Sequence, residues 1–327
     1  MANLDSIQST FLDAVKKKLP ANLSFVDELA EMLNISRDSA YRRIRGETVL
    51  SLDEVKVLVT NYRVSLDSLL SPNTEILSFH HQAVDQSSFN FGHWLKSILE
   101  KLDMITAFPE TNKELVYYAK DMPIFYYFTF PELGAFKMFF WMKAVLNDSR
   151  YQHEKFKLDL IPKNYLDMGS KIWDRFAVLP STELWSDETL NVTLKQIEYF
   201  YDCGYFVDAR DAHVLLDQFS ALLENIRLWT TAGTKDGKGK LNFYKNEILV
   251  AENTILFKMG EKRLVFLTHN IADLLTTSDE TFCVRTEHFI NNLLNKAVLI
   301  SATGEKERSR FFNQMTEKIK EVREKIR

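Results

Sequence analysis

The stretch from Phe25 to Leu70, FVDELAEMLNISRDSAYRRIRGETVLSLDEVKVLVTNYRVSLDSLL, limits the fold more than any other part of the chain. It reads as two short amphipathic helices separated by a tight turn at Leu33-Asn34-Ile35-Ser36. Val26, Leu29, Ala30 and Leu33 recur at helical spacing and predict one apolar face. Ser24 stands at a cap position, with Asp27 three residues on in the place of a capping-box partner. Asn34 falls where the turn needs a positive φ, which Asn tolerates better than most residues. Ser36 can cap the second helix, in which Ala40 and Ile44, four apart, point inward together. That leaves Arg37, Asp38, Tyr41, Arg42 and Arg45 on the outer face, and Gly46 suits a left-handed helix stop. Ser51 and Glu54 form a capping box for a third helix, whose buried stripe is expected to be Leu52, Val55, Leu58 and Val59. Ser65 caps a last short turn ending at Leu69-Leu70. Two helices joined this way, the second with a basic outer face, have the build of a helix-turn-helix shaped to enter a DNA major groove.

Five motifs then agree in spacing. They are Leu29-Ala30, Leu33-x-Ile35-Ser36, Arg43-Ile44-x-Gly46, Ser51-Leu52-x-x-Val55 and Val64-Ser65-Leu66-Asp67-x-Leu69. On these residues the segment from about 5 to 70 resembles the Cro/phage-repressor helix-turn-helix, the Xre family. It departs from that pattern at Asn34, where the family commonly has Gly, at Val59, where Ala is common, and at Tyr62-Arg63, where Leu-Gly is common. The resemblance implies a transcriptional regulator whose Arg37, Asp38, Tyr41 and Arg42 face base edges. It places Arg43 nearer the packed side, within reach of phosphate, and Ser36, Ser39 and Arg45 complete the candidate DNA-binding set.

Charge qualifies that expectation. Residues 1–72 carry nine Lys/Arg and ten Asp/Glu, a net charge of −1, so only the second helix of the motif is basic. Phosphate neutralisation supplies most non-specific DNA affinity, so a lone copy should bind weakly. A homodimer on a palindrome of double-stranded DNA would double the contacts.

At 327 residues, 46% hydrophobic and 26% charged, with net charge −4, the chain has room for two or three soluble domains and no global field for polyanions. MANLDSIQST has neither the basic nor the apolar region of a signal peptide. No apolar run approaches the roughly 20 residues that span a bilayer. The densest, Met138 to Leu146, is broken by Lys143. Cys203 and Cys283 stand alone and read as reduced core residues. These features predict a cytoplasmic protein with no membrane partner.

Ser71-Pro72-Asn73 marks the expected boundary. It divides a DNA-binding domain, 1–72, from a regulatory or oligomerisation domain, 73–327. In the second, helices are expected at Trp94–Leu102, Leu133–Leu146, Leu190–Tyr201, Leu215–Trp229, Phe289–Ile300 and Glu305–Ile326. Short β-rich runs fall at Glu75–His81, Glu114–Ala119, Leu241–Phe243, Ile248–Val250, Ile255–Phe257 and Leu264–Leu267, with a hairpin turn at Met259-Gly260-Glu261-Lys262. The expected fold class is mainly α: a helix-turn-helix bundle followed by a larger, mostly helical α+β domain with a small antiparallel sheet.

Eleven aromatics lie between Tyr117 and Trp141. They suit either a large core or the wall of an apolar ligand pocket holding a few polar groups. Tyr117, Tyr118, Phe125, Phe139 and Trp141 are the candidate pocket residues for an unidentified small-molecule effector. Lys120, Asp121 and Lys137 are the candidate polar groups. The segments PELGAFKMFFWMK and GEKERSRFF are also similar to uncharacterised bacterial regulators with the same N-terminal motif, which implies a regulator architecture and no particular ligand.

Other motifs do not carry chemistry. Gly233–Lys240, GTKDGKGK, lacks the Gly spacing of a phosphate loop and reads as an exposed loop before the sheet. His80-His81 would point to opposite faces of a strand. His153-Glu154 lacks the second His of a zinc motif, and no carboxylate pair or nucleophile elbow stands out, so no catalytic residue, metal or cofactor is assigned. Phe311, Met315, Ile319, Val322 and Ile326 form an a/d-like seam that packs on its own domain or on a second copy. The chain reads as a one-component regulator. The alternatives are a phage- or antitoxin-like repressor whose C-terminal domain only binds protein, and an enzyme with a DNA-targeting module.

Overall fold

The computed structural model describes residues 7–19, 23–62, 64, 66, 77–82, 90–109, 112–249, 252–269 and 273–326. The chain divides into two compact units, Met1–Ser78 and Phe79–Arg327. The expected boundary at Ser71-Pro72-Asn73 and the features at Arg63, Ser65 and Leu69-Leu70 lie outside the described residues.

The smaller unit contains helices α1 (Ile7–Lys16), α2 (Phe25–Leu33), α3 (Arg37–Ile44) and α4 (Leu52–Tyr62). Phe11, Leu12, Val15, Leu29, Ala30, Ala40, Leu50, Leu58 and Val64 form its core. Asn34 ends α2 at φ 51°, ψ 49°, in the left-handed region. The Ser39 amide donates to Ser36 Oγ at 3.2 Å and caps α3. Gly46 has φ 74° and turns the chain out of α3. Ser51 and Glu54 exchange the two hydrogen bonds of a capping box, at 2.8 and 3.2 Å. Two details differ from expectation. Ser24 makes no side-chain cap, and the Asp27 carboxylate, expected as its capping-box partner, pairs with Arg37 at 2.7 Å. Leu52 is 87% exposed, so the buried stripe of α4 rests on Leu58, with Val55 and Val59 half-buried. Gln8 of α1, which carried no sequence signal, clamps the end of α3. It donates to the carbonyls of Arg43 and Thr48 and accepts from the Leu50 amide.

The larger unit corrects the fold class. It is built on an eight-stranded mixed sheet in the order β1-β7-β6-β5-β2-β3-β4-β8, not on a small antiparallel one. The strands are β1 (His80–Gln82), β2 (Lys113–Tyr118), β3 (Ser181–Trp185), β4 (Leu241–Lys245), β5 (Thr254–Met259), β6 (Lys262–His269), β7 (Asp273–Thr277) and β8 (Val298–Leu299). β2, β3 and β4 run parallel and the other pairings are antiparallel. β3 escaped the sequence reading because all five of its residues are buried, and a strand covered on both faces shows no alternation. β8 lies inside a stretch read as helix, and Ile248-Leu249 is not a strand. The β5–β6 hairpin is as expected, with Gly260 at φ 58° in its turn.

The helices of this unit are α5 (Phe91–Ala107), α6 (Ile124–Tyr127), α7 (Pro131–Phe140), α8 (Lys163–Val178), α9 (Asn191–Asp202), α10 (Arg210–Ala232), α11 (Glu280–Leu294) and α12 (Glu305–Lys325); a π-helical segment, Trp141–Val145, extends α7. All but α11 contribute to one large core with the sheet face of Leu115, Tyr117, Trp185, Phe243, Ile255, Phe257 and Phe266. α11 brings Cys283, Ile290 and Leu293 to the opposite face, against Val116, Tyr118, Leu184, Leu256 and Val265. The seam Phe311, Met315, Ile319, Val322 and Ile326 is buried in the unit's own core. Among the described residues, no helix is long and apolar enough to cross a membrane.

Candidate functional site

The outer face of α3 exposes Arg37, Asp38, Tyr41 and Arg42, with Arg45 at its end. Each exposed arginine meets an exposed acid: Arg37–Asp27 at 2.7 Å, Arg42–Asp38 at 3.6 Å and Arg45–Glu47 at 3.3 Å. The Arg45 guanidinium also lies 5.8 Å from the Tyr41 ring centroid. Exposed pairs of this kind contribute only about 0–1 kcal/mol, so a phosphate or a guanine edge can displace the acid. Ser36 and Ser39 are occupied with each other in the cap. Arg43 differs from its neighbours. Only 16% of its side chain is exposed and its Nη2 pairs with Glu54 Oε1 at 2.7 Å, while Nη1 donates to the Ser39 carbonyl. It braces α3 against α4 and does not face outward.

The second site is a cavity of about 440 Å³ between α5 and the sheet. Trp94, Ile98, Lys101, Leu102 and Ile105 of α5 form one wall, and Tyr117, Ile255, Phe257, Phe266 and Leu274 of the strands form the floor. Met122, Phe125, Tyr127, Lys137 and Trp141 close one end, with Val192 and Gln196 of α9. Of the five aromatics expected here, Tyr117, Phe125 and Trp141 line the cavity. Tyr118 and Phe139 do not. Strand alternation turns Tyr118 to the α11 face, where its hydroxyl donates to the Ile248 carbonyl at 2.7 Å. Phe139 is fully buried among Tyr151, Phe156 and Phe200.

The expected polar groups Lys120, Asp121 and Lys137 all reach the lining. Lys137 is 1% exposed. Its ammonium donates to Gln196 Oε1 at 2.8 Å, Thr193 Oγ1 at 3.2 Å and Asp121 Oδ2 at 3.3 Å. It also lies 4.7 Å from the centre of the Tyr127 ring and 5.9 Å from that of Trp141. Tyr127 shares a short hydrogen bond with Thr193. Burial pulls Lys137 below the ordinary lysine range, against the opposing attraction of Asp121. Burial, reinforced by the charges of Asp121 and Glu183, pushes the Tyr117 phenol far up, so it stays a neutral hydroxyl. Sequence reasoning missed Gln196, Thr193 and Asn253. They lie far along the chain from Lys137 and carry no local signal. A more open depression of about 640 Å³ lies alongside and shares Lys120, Val192 and Gln196.

Two further titratable groups, Glu183 and Lys235, are buried in the core. Glu183 of β3 is fully buried and accepts from Tyr126, Ser181 and Trp185. Lys235 donates to the Leu179 carbonyl at 2.6 Å and to Ser181 Oγ at 2.7 Å. The loop GTKDGKGK is therefore not simply exposed: Lys235 plugs it into the core at 0% exposure. Burial drives the Lys235 pKa down to about 8, although Glu183 opposes that shift. Among the described residues no cluster of three or more His, Cys, Asp and Glu could hold a metal ion.

Comparison of the chain with protein-family models, curated proteins and solved structures gives no match.

Proposed function

We propose that this protein is a cytoplasmic, sequence-specific DNA-binding regulator that acts as a homodimer, its larger unit sensing a small molecule. The outer face of α3 carries the proposal. Arg37, Tyr41, Arg42 and Arg45 stand on a helix fixed at its start by the Ser36 cap and at its end by the Gln8 clamp. Their ionic partners are exposed and exchangeable. A rigid helix with replaceable surface ion pairs can read base edges. The smaller unit's lack of net positive charge favours two copies, with recognition helices roughly 34 Å apart on a palindrome. An effector would act only through different affinity for two dimer geometries.

Selection of bound sequences from a random duplex pool with the full chain tests this reading. Recovery of a palindromic site is the expected result, and recovery of no preferred sequence would overturn it.

One observation favours a second reading. Asp121 and a depressed Lys137 converge at a cavity, as acid–base groups do in enzymes. Against it, all three ammonium protons of Lys137 are committed to protein acceptors. The interaction-only alternative needs a dry aromatic core, and the cavity interrupts that core.

A further inference from the structure

The hydrogen-bonding capacity around the 440 Å³ cavity is lopsided. Lys137 can only donate, so the Gln196 oxygen must face it and the Gln196 NH₂ must point elsewhere. Asn253 Oδ1 accepts from the Lys120 and Asp121 amides, at 2.8 and 3.2 Å, which leaves its NH₂ over. The Tyr117 hydroxyl and the Trp141 indole N–H are two further donors. Among the described residues none of these four groups has a hydrogen-bond partner, and none is sealed from solvent. Tyr117, Trp141 and Gln196 are nevertheless at most 8% exposed. These groups have no protein acceptor and belong to residues of the cavity lining, so they are available to the acceptors of a ligand. Its own carboxylate near this end, Asp121, is already engaged: Oδ1 accepts from the Met122 amide at 2.8 Å and Oδ2 from Lys137. Three lysines (Lys101, Lys120, Lys137) line the cavity against two acids (Asp121, Glu252). The rest of the wall is apolar: Trp94, Ile98, Leu102, Phe257, Phe266 and Leu274.

We propose that the cavity binds a hydrophobic monocarboxylate. Its carboxylate takes the donors of Tyr117, Trp141 and Gln196 beside Lys137, and its apolar body lies between α5 and the sheet. This inference rests on the reading of the cavity as an effector site, and its test needs no DNA. Decanoate, decanol and decylamine are titrated calorimetrically into the full chain, wild type and Tyr117→Phe. Decanoate is expected to bind, decanol to bind at least about tenfold more weakly, and decylamine not to bind. Tyr117→Phe removes an unpartnered hydroxyl and should leave the melting temperature unchanged while weakening decanoate about tenfold, the loss of one hydrogen bond to a charged group. Three results would overturn the proposal: no decanoate binding, amine binding as tight as acid binding, or equal affinity of wild type and a folded Tyr117→Phe. Binding of decanoate without any DNA preference would refute the regulator and keep the site; the reverse would refute the site alone.

Discussion

Glu54 holds Arg43 while it caps its own helix. Its Oε1 meets Arg43 Nη2 at 2.7 Å and its Oε2 accepts from the Ser51 amide at 2.8 Å. One carboxylate thus ties α3 to α4 and fixes where α4 begins. Glu54→Ala should cost the smaller unit about 2 kcal/mol, combining a lost cap with a half-buried guanidinium left unpaired. All five tryptophans lie beyond residue 93 and report on the larger unit. Hydrogen exchange of the α3 and α4 amides is therefore the measurement, and unchanged protection would refute the brace.

The same residue sets a pH dependence. Burial alone would raise the Glu54 pKa, but the hydrogen bonds and charge of Arg43 and the bonds from Ser51 overcome it, and the net shift is downward. A carboxylate with a lowered folded-state pKa stabilises the fold above its unfolded value of roughly 4.3. That contribution disappears as pH falls through the folded value. Amide protection in α3 and α4 should therefore drop on acidification. The drop should be smaller in Glu54→Gln, and equal acid sensitivity of both proteins would exclude Glu54 as its source.

Arg42→Ala should reduce operator affinity and relax base preference while the fold stays intact. A bidentate base contact discriminates by roughly 1–3 kcal/mol, and the only ion pair lost is an exposed one. Gel shifts at fixed salt measure both effects; unchanged affinity and preference would remove α3 from the interface. Arg43→Ala should instead act through stability.

Phe139 is core, so Phe139→Ala should cost about 3–5 kcal/mol of the larger unit's stability. Operator affinity per folded molecule should not change. Denaturation followed by tryptophan fluorescence gives the first quantity and active-fraction-corrected gel shifts give the second.

Gly239 is placed so that an added Cβ would sit 2.6 Å from the Leu179 carbonyl oxygen and 2.7 Å from that of Ala177. Both are backbone atoms that cannot move aside. Gly239→Ala should destabilise the larger unit by about 2 kcal/mol or more, and a melting temperature within error of wild type would contradict that geometry.

The smaller unit was readable because its devices are local. Asn34, the Ser36 cap, Gly46 and the Ser51/Glu54 box each act within four residues and announce themselves by residue type. The partners of Arg43 and Arg37 were not readable, since Arg43–Glu54 and Arg37–Asp27 span turns. In the larger unit, antiparallel β5 and β6 showed their turn and pattern. β3 did not, because a central parallel strand with Glu183 inside it looks neither alternating nor continuously apolar. The aromatic block announced a buried region but not its division. Tyr117 and Tyr118 are adjacent yet face opposite sides of the sheet, and only the sheet's orientation assigns one to the cavity and the other to α11.

The sheet order also sets a timetable. β1, at His80–Gln82, pairs with β7, at Asp273–Thr277, and parallel β2 and β3 are joined through α6, α7 and α8. Contacts this distant in sequence form slowly. On a ribosome the floor of the cavity cannot be completed until Leu274 has emerged. The helices of the smaller unit need only their own neighbours. A nascent chain would therefore hold a formed α3 well before it could hold a closed cavity.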